Sequence, residues 1–425
     1  MAFFLTLLYV ALVIVRPQEY PGMVELALPI LPISLVAALL AWMMSPDKRF
    51  SEPQYALLGA FLLVCMVSEI TNGWFGGALW QLTQFGPTVA AFVILANVTN
   101  SRQRVVIVMA TFVLCSGVLA VHGIDQAAHG IGWTGMPLSQ EDEEGGGRIQ
   151  YVGIFSDPND LGLLFVSTLP FAFYLSSRGG MLGLVRLFWL SMAGLLLYGT
   201  YLTNSRGAML AVAALLGFWL WRRRGILVAG IAGGAGLAGM MMLSARLQEL
   251  DAGEESAAGR IDAWYSGIQM FLHQPLFGVG AGQFTEHNPL TAHNSFVLAL
   301  AETGYIGFTI WLGIVVYCFR MMWAIEKYEP PLEDETATEA WAEERRIGMT
   351  LLLSLCALFT AAFFLSRTYV IVVYMLAALV VAEYAGAQER FPGLPTFRIG
   401  GDVPRLLMTS VAGVVAIFVI TRALL

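Results

Sequence analysis

The chain has 425 residues, 57% hydrophobic and only 12% charged, with a formal net charge of −7 and a mean hydropathy of +0.70. A soluble domain carries about a quarter of its residues as Asp, Glu, Lys and Arg, so the composition excludes a soluble enzyme. No basic, aromatic-rich patch suggests nucleic acid, and no nucleic-acid partner is expected.

Apolar runs of about 18 residues or more recur along the chain, each long enough to cross a ~30 Å hydrocarbon layer as a helix. The opening "MAFFLTLLYVALVIVRPQEYPG" has no basic n-region and no small-x-small cleavage site. It therefore reads as a retained first span rather than a signal peptide. Thirteen spans are expected, near 1–15, 26–45, 55–70, 78–98, 105–125, 159–178, 184–203, 206–222, 225–244, 304–323, 348–366, 368–384 and 404–424. The expected fold is an all-α polytopic membrane protein of about 12–13 transmembrane helices, forming one membrane domain over 1–425. The four cysteines, Cys65, Cys115, Cys318 and Cys356, fall inside apolar runs and read as packing residues.

Alternate connections hold sixteen of the 23 Lys and Arg, among them Arg49, Arg102, Arg178, Arg222, Arg345 and Arg390. Basic residues flanking spans are retained in the cytoplasm, which places the amino terminus inside. The other seven, Arg16, Arg148, Arg206, Arg246, Arg260, Arg367 and Arg422, are expected on the outer face, where no lysine joins them. A guanidinium presents a fixed fork of donors to phosphate or carboxylate, so arginine without lysine points to oxyanions.

The first long outer segment, 126–158, contains an acidic, Gly-rich loop at Glu141–Gly147 and then "SDPND", whose Pro and Asx residues signal a helix start. In "YLTNSRGAML" Arg206 joins two spans with almost no loop. A charge at that depth costs on the order of 2 kcal/mol or more unless it is partnered or reaches the interface. Gly230, Gly233 and Gly234, in "GIAGGAGLAGM", stand in small-xxx-small relations and are assigned to helix packing.

The second outer segment, 245–303, opens amphipathically: Ile261, Trp264, Tyr265, Ile268 and Phe271 fall near helical spacing. It breaks at Pro275 and at Gly278, Gly280 and Gly282, which suggests a surface helix followed by a tight backbone excursion. "GVGAG" lacks both a preceding strand and a following Gly-Lys-Ser/Thr, so it is not a nucleotide loop. The inner connection 326–346 reads as an ordinary charged connector. Metal ligation is not expected, since His287 and His293 lack a completing carboxylate pair at workable spacing.

His293 begins the helix that returns into the membrane, after the outer segment carrying Arg260 and on the same expected side as Arg206. An imidazole titrates near neutrality and can take a proton from an attacking hydroxyl. Arginines can neutralise a diphosphate leaving group. Such a base and cationic clamp suit transfer from a lipid-linked phosphate donor to a hydroxyl. Glu302, about two and a half turns beyond His293, is too distant for easy direct contact and is expected to be a structural or supporting partner.

"GRIDAWYSGIQMFLHQPLFGVGAGQF" followed by "AHNSFVLALAETGYIGF" resembles the signature region of the O-antigen ligase and Wzy-type polysaccharide polymerase superfamily. The matching residues are Arg260, Trp264, Pro275, Gly278, Gly280, His293, Asn294, Ser295, Glu302 and Gly304. Pro158 and Asn159 of "GIFSDPNDLG", and Ser205, Arg206 and Gly207 of "TNSRGAML", also resemble motifs of that superfamily. The resemblance covers about 150–310 and implies a multi-span glycosyltransferase of the GT-C type, needing neither metal nor other cofactor. It implies a glycan donor on undecaprenyl diphosphate, used at the periplasmic face of the inner membrane. His293 is then the base or acceptor-positioning residue, and Arg206 and Arg260 bind the diphosphate. Asn159, Asn294, Glu302, Arg148 and Arg367 are expected to support these groups or line the acceptor side. The acceptor is a second lipid-linked glycan for a polymerase, lipid A–core for a ligase, or a protein hydroxyl. The acidic loop at 139–147 offers no basic surface for a phosphorylated core, which favours the polymerase. A transporter or flippase for the same lipid-linked glycan is the rival class, against which stands the lack of an internal repeat.

Overall fold

The structure is a computed structural model that describes residues 1–139, 147–180, 183–243, 255–331 and 334–425. The acidic stretch 140–146 and Arg246 lie outside them. The helices are α1 (Ala2–Val15), α2 (Ile30–Met43), α3 (Pro53–Thr71), α4 (Phe75–Val98), α5 (Arg102–His129), α6 (Pro158–Ser177), α7 (Leu184–Leu202), α8 (Arg206–Arg224), α9 (Ile226–Leu243), α10 (Glu255–His273), α11 (Phe284–His287), α12 (Ser295–Lys327), α13 (Glu335–Ala362), α14 (Ile371–Arg390) and α15 (Ile399–Leu424). Every expected span is a helix, and α10 and α11 lie in the second outer segment. Among the described residues β pairing is limited to two isolated bridges, Ile131 with Pro137 and Ser139 with Arg148.

Among the described residues ten helices are long and apolar enough to cross a membrane, so the chain is a multi-pass membrane protein. The remaining expected spans are α2, α8 and α9. Ile30–Met43 and the apolar stretch Ile226–Gly236 are shorter, and α8 begins at Arg206 and ends in Arg222, Arg223 and Arg224.

The chain forms two compact units. The first comprises Met1–Pro46, Val98–Glu249 and Ile325–Ala361; the second comprises Asp47–Asn97, Leu250–Ala324 and Ala362–Leu425. In the first unit α6 is buried along nearly its whole length. Small residues let neighbours approach it: a Cβ on Gly162 would meet the Ala208 Cβ of α8 at 2.8 Å, and one on Gly199 of α7 would meet Phe165 at 2.8 Å. Close backbone approach of this kind drives helix association where lipid provides no hydrophobic contrast.

Gly230, Gly233 and Gly234 of α9 do not behave this way. A Cβ at any of them would meet nothing within 4 Å, so the expected glycine packing is absent among the described residues. Spacing alone defines a smooth helix face and cannot specify what the face meets.

The connection 326–346 is more than a charged linker. Glu344 on α13 is fully buried and accepts from Arg102 of α5. Glu343 accepts from Arg178 at 2.7 Å, and Glu326 accepts from Arg222 at 3.0 Å. Three basic groups from separate parts of the chain are therefore tied to carboxylates on or just before α13.

In the second unit α14 is buried along most of its length. Phe61, Phe85 and Tyr369 form an aromatic cluster beside it, with ring centroids 5.7–6.0 Å apart. The unit's last helix, α15, leaves large apolar side chains such as Met408, Val411, Val415 and Val419 exposed, as a lipid-facing helix does.

Candidate functional site

In the first unit the chain between α7 and α8 is only three residues long, Thr203 to Ser205. Asn204 turns it with φ 46, a left-handed conformation that Asn tolerates better than most residues. Ser205 then caps α8, its Oγ accepting from Ala208 N, and Arg206 is the first helical residue. Asn159 stands beside this turn: its Oδ1 accepts from Ser205 Oγ at 2.8 Å and from Arg148 NH2 at 2.9 Å. Arg148 is 8% exposed and its Nε donates to Thr203 O at 3.0 Å. The fold thus brings Arg148, Asn159 and Arg206, distant in sequence, onto one turn.

In the second unit α12 supplies the frame. It runs from Ser295 to Lys327 but leaves helical geometry at Gly304, with φ 63 and ψ −166, a region essentially restricted to glycine. Such a break exposes backbone groups that must find partners in a water-poor setting. The glycine-rich excursion before α11 provides them. Val279 N and Gly280 N donate to Ala301 O and Glu302 O at 3.0 and 3.2 Å, while Tyr305 N and Ile306 N donate to Pro275 O and Leu276 O at 2.8 and 3.3 Å. A Cβ on Gly278 would fall 2.5 Å from Glu302 O, so the approach needs glycine there.

The Glu302 side chain fastens the same excursion. It is buried, and its carboxylate accepts from Phe284 N at 3.0 Å. Its contacts are those of a structural fastener. Nearby, Gln81 donates to Glu69 and to Ala281 O, and Asn72 donates to Gly278 O at 2.8 Å. Gln81 and Asn72 are not among the residues expected from the sequence. An ionisable Glu69 close to the end of an apolar run was the available signal.

His293 sits just before the α12 start with φ 46, a left-handed conformation that costs a non-glycine residue about 1–2 kcal/mol. Its neighbours hold it there. Asn294 is buried and caps the helix, its Oδ1 accepting from Phe296 N and Val297 N at 2.9 and 3.2 Å. Ser295 Oγ donates to Leu365 O at 2.6 Å and accepts from Arg367 N at 2.9 Å, and Thr368 Oγ1 donates to Ser295 O at 2.8 Å. On the other flank Thr291 Oγ1 donates to Ser366 Oγ at 2.8 Å. Residues two positions either side of His293 are therefore tied to residues flanking Arg367, and the two loops run together.

α10 packs on this frame. Its buried face is Ala263, Trp264, Gly267, Ile268 and Met270, whereas Tyr265, expected on the apolar face, is exposed. Trp264 meets Phe363 edge-on with centroids 5.5 Å apart, and a Cβ on Gly259 would touch Leu290 at 3.2 Å. Arg260, half-buried, is thereby anchored beside the segment that leads to His293. An apolar cavity of about 360 Å³ adjoins this arrangement, lined by Trp264, Asn294, Phe363, Leu312, Gly413 and Ile417 among others.

Two other arginines expected on the outer face are engaged differently. Arg16 is ion-paired with Glu19, and Arg422 is exposed and lies over the Phe418 ring.

The fold and these groupings define a multi-pass helical membrane protein whose arginines and one strained histidine stand at helix starts and on the loops joining spans. Residues 191–312 match the model of the O-antigen ligase family, which supports the O-antigen ligase and Wzy superfamily for this chain, a group of polysaccharide polymerases and ligases. Residues 1–177 match a second model, a family of unknown function (DUF5935). No curated protein matches the chain.

Proposed function

We propose that the protein transfers a glycan from undecaprenyl diphosphate to an acceptor hydroxyl at the periplasmic face of the bacterial inner membrane. The observation that carries this reading is the His293 turn, with its strained backbone, its lacing to the Arg367 loop and the helix of Arg260 packed against it. His293 takes the proton of the acceptor hydroxyl as the hydroxyl oxygen attacks the anomeric carbon, a role worth about 10²–10⁴ in rate. The bond from that carbon to the phosphate oxygen breaks, and polyprenyl diphosphate leaves with the electron pair. Arg260, in the same unit as His293, meets the charge that develops on the phosphates; Arg206, at the head of α8, is the second phosphate-binding arginine that the family resemblance implies. The cavity beside Asn294 and Trp264 lies within the usual range for small-ligand sites, about 300–1,000 Å³. Its apolar walls suit part of an isoprenoid chain.

The acceptor is a second lipid-linked glycan, so that the enzyme is a polymerase. The acidic run at Glu141–Glu144 supports this, because it repels a phosphorylated lipid A–core. The purified protein in lipid vesicles, given a polyprenyl-diphosphate oligosaccharide, is expected to release free polyprenyl diphosphate and yield a ladder of lengths on the carrier. A single transfer to added lipid A–core would instead make it a ligase. Export of intact donor across the vesicle, with no bond broken, would make it a transporter.

A further inference from the structure

Arg148 looks at first like another outward, oxyanion-binding arginine, yet its contacts are spent inside the protein. Its Nε is committed to Thr203 O and its NH2 to Asn159 Oδ1, and it is almost wholly buried. Both partners belong to the three-residue turn that launches α8 or touch it directly. Asn159 is itself fixed, its N and Nδ2 both donating to Asp157 Oδ1 at 2.9 Å, so its Oδ1 is presented in one direction. That single oxygen accepts from Arg148 and from Ser205 at once. Ser205 is the residue immediately before Arg206 and also supplies the cap of its helix. The backbone of Arg148 is held in turn by Ser139, through a pair of hydrogen bonds of 2.9 Å, and Ile149 N donates to Leu202 O. Three of these bonds, to Leu202, Thr203 and Ser205, end within four residues of Arg206.

We infer that Arg148 and Asn159 are positioning residues that aim the Arg206 guanidinium, acting through Thr203 and Ser205 and never touching substrate. A fork of donors discriminates phosphate geometry only if its base is fixed. The turn's own backbone bonds, from Thr203 N to Gly199 O and from Asn204 N to Tyr201 O, reach back to α7, and Arg148 and Asn159 hold it from outside. The Arg148 guanidinium spans that turn because two nitrogens of one rigid plane reach a backbone carbonyl and a side-chain amide, a fixed fork that a single lysine nitrogen does not reproduce. The inference rests on the reading of Arg206 as a phosphate-binding group.

The test is a double-mutant cycle on the full-length protein in lipid vesicles. It reads kcat and KM for a polyprenyl-diphosphate oligosaccharide together with the thermal midpoint. Arg148→Lys is expected to raise donor KM about tenfold, the size of losing a hydrogen bond to a charged group, and Ser205→Ala about fivefold, the size of losing a neutral one. Ser205→Thr, which keeps the hydroxyl, restores most of that loss. In the Arg206→Lys background the same two changes are expected to alter KM by less than about twofold, because the group they aim is gone. Effects that multiply in the double variants would overturn the inference and leave Arg206 in its role. Unchanged kinetics in Arg206→Lys alone would instead remove the phosphate-binding reading on which it rests. Should Arg148→Lys fold poorly, the Ser205 pair decides the question unaided.

Discussion

Replacing Gly304 by alanine tests whether the interrupted helix α12 is what holds the His293 turn. The glycine's backbone conformation, φ 63 and ψ −166, costs a residue with a side chain about 1–3 kcal/mol. The added Cβ would also lie 2.5 Å from Leu276 O and 2.6 Å from Phe277 N, backbone atoms with no rotamer to give way. Relief requires lifting the 274–280 backbone away from the helix break. Four backbone hydrogen bonds cross that seam, each worth about 0.5–1.5 kcal/mol net. Losing half of them adds about 1–3 kcal/mol, for a total near 2–6 kcal/mol, at the severe end for one substitution. Thermal unfolding in detergent and donor turnover in vesicles measure the two consequences, a lower midpoint and a displaced His293. Gly234→Ala on α9 is the control, since its Cβ meets nothing and alanine is the better helix former by about 1 kcal/mol. A Gly304→Ala protein with the wild-type midpoint and turnover would refute the account of the frame.

Other expectations follow from the same contacts. His293→Ala should fold normally and lose about 10²–10⁴ in kcat; wild-type turnover would remove the base assignment. Asn294→Ala, which leaves Phe296 N and Val297 N uncapped, should cost about 1 kcal/mol of stability and reduce turnover by loosening the turn beneath His293. Glu302→Gln keeps an acceptor for Phe284 N and should retain most activity, whereas Glu302→Leu should lose both activity and thermal stability; an active Glu302→Leu would show that the carboxylate fastens nothing. Arg260→Lys preserves charge but not the fork and should weaken donor binding, read as a rise in donor KM with a smaller change in kcat.

The sequence made the spans legible because lipid imposes one hydrophobic length on every crossing helix, and each expected span is a helix in the fold. It also pointed to the outer arginines, since a charge is conspicuous in so apolar a chain. What it could not supply is which of them are consumed internally. Arg16 and Arg148 look alike in sequence, yet one closes an ion pair with Glu19 and the other grips a turn 55 residues away. The glycines of α9 and Gly304 show the same limit in another form. Small-residue spacing announced close packing at glycines that no described atom approaches, while a lone glycine in an apolar run gave little sign of the bend at its position. The fastening of Glu302 to Phe284 depends on the chain folding back across that bend, and no periodicity encodes a fold-back.

The arginines of the inner connections have an order in time as well as in space. Arg102, Arg178 and Arg222 precede their carboxylate partners by 242, 165 and 104 residues. At about 5–20 residues per second, each leaves the ribosome roughly five seconds or more before the acid that will neutralise it. Through that interval they lack those carboxylates, and on the topology expected from the sequence their charge helps to hold their loops in the cytoplasm as the spans insert. Once the end of α12 and then α13 have been made they are claimed by Glu326, Glu343 and Glu344, and charges expected to set orientation become clasps within the first unit. Glu344→Gln should therefore leave the sidedness of every loop unchanged while loosening α13 from α5.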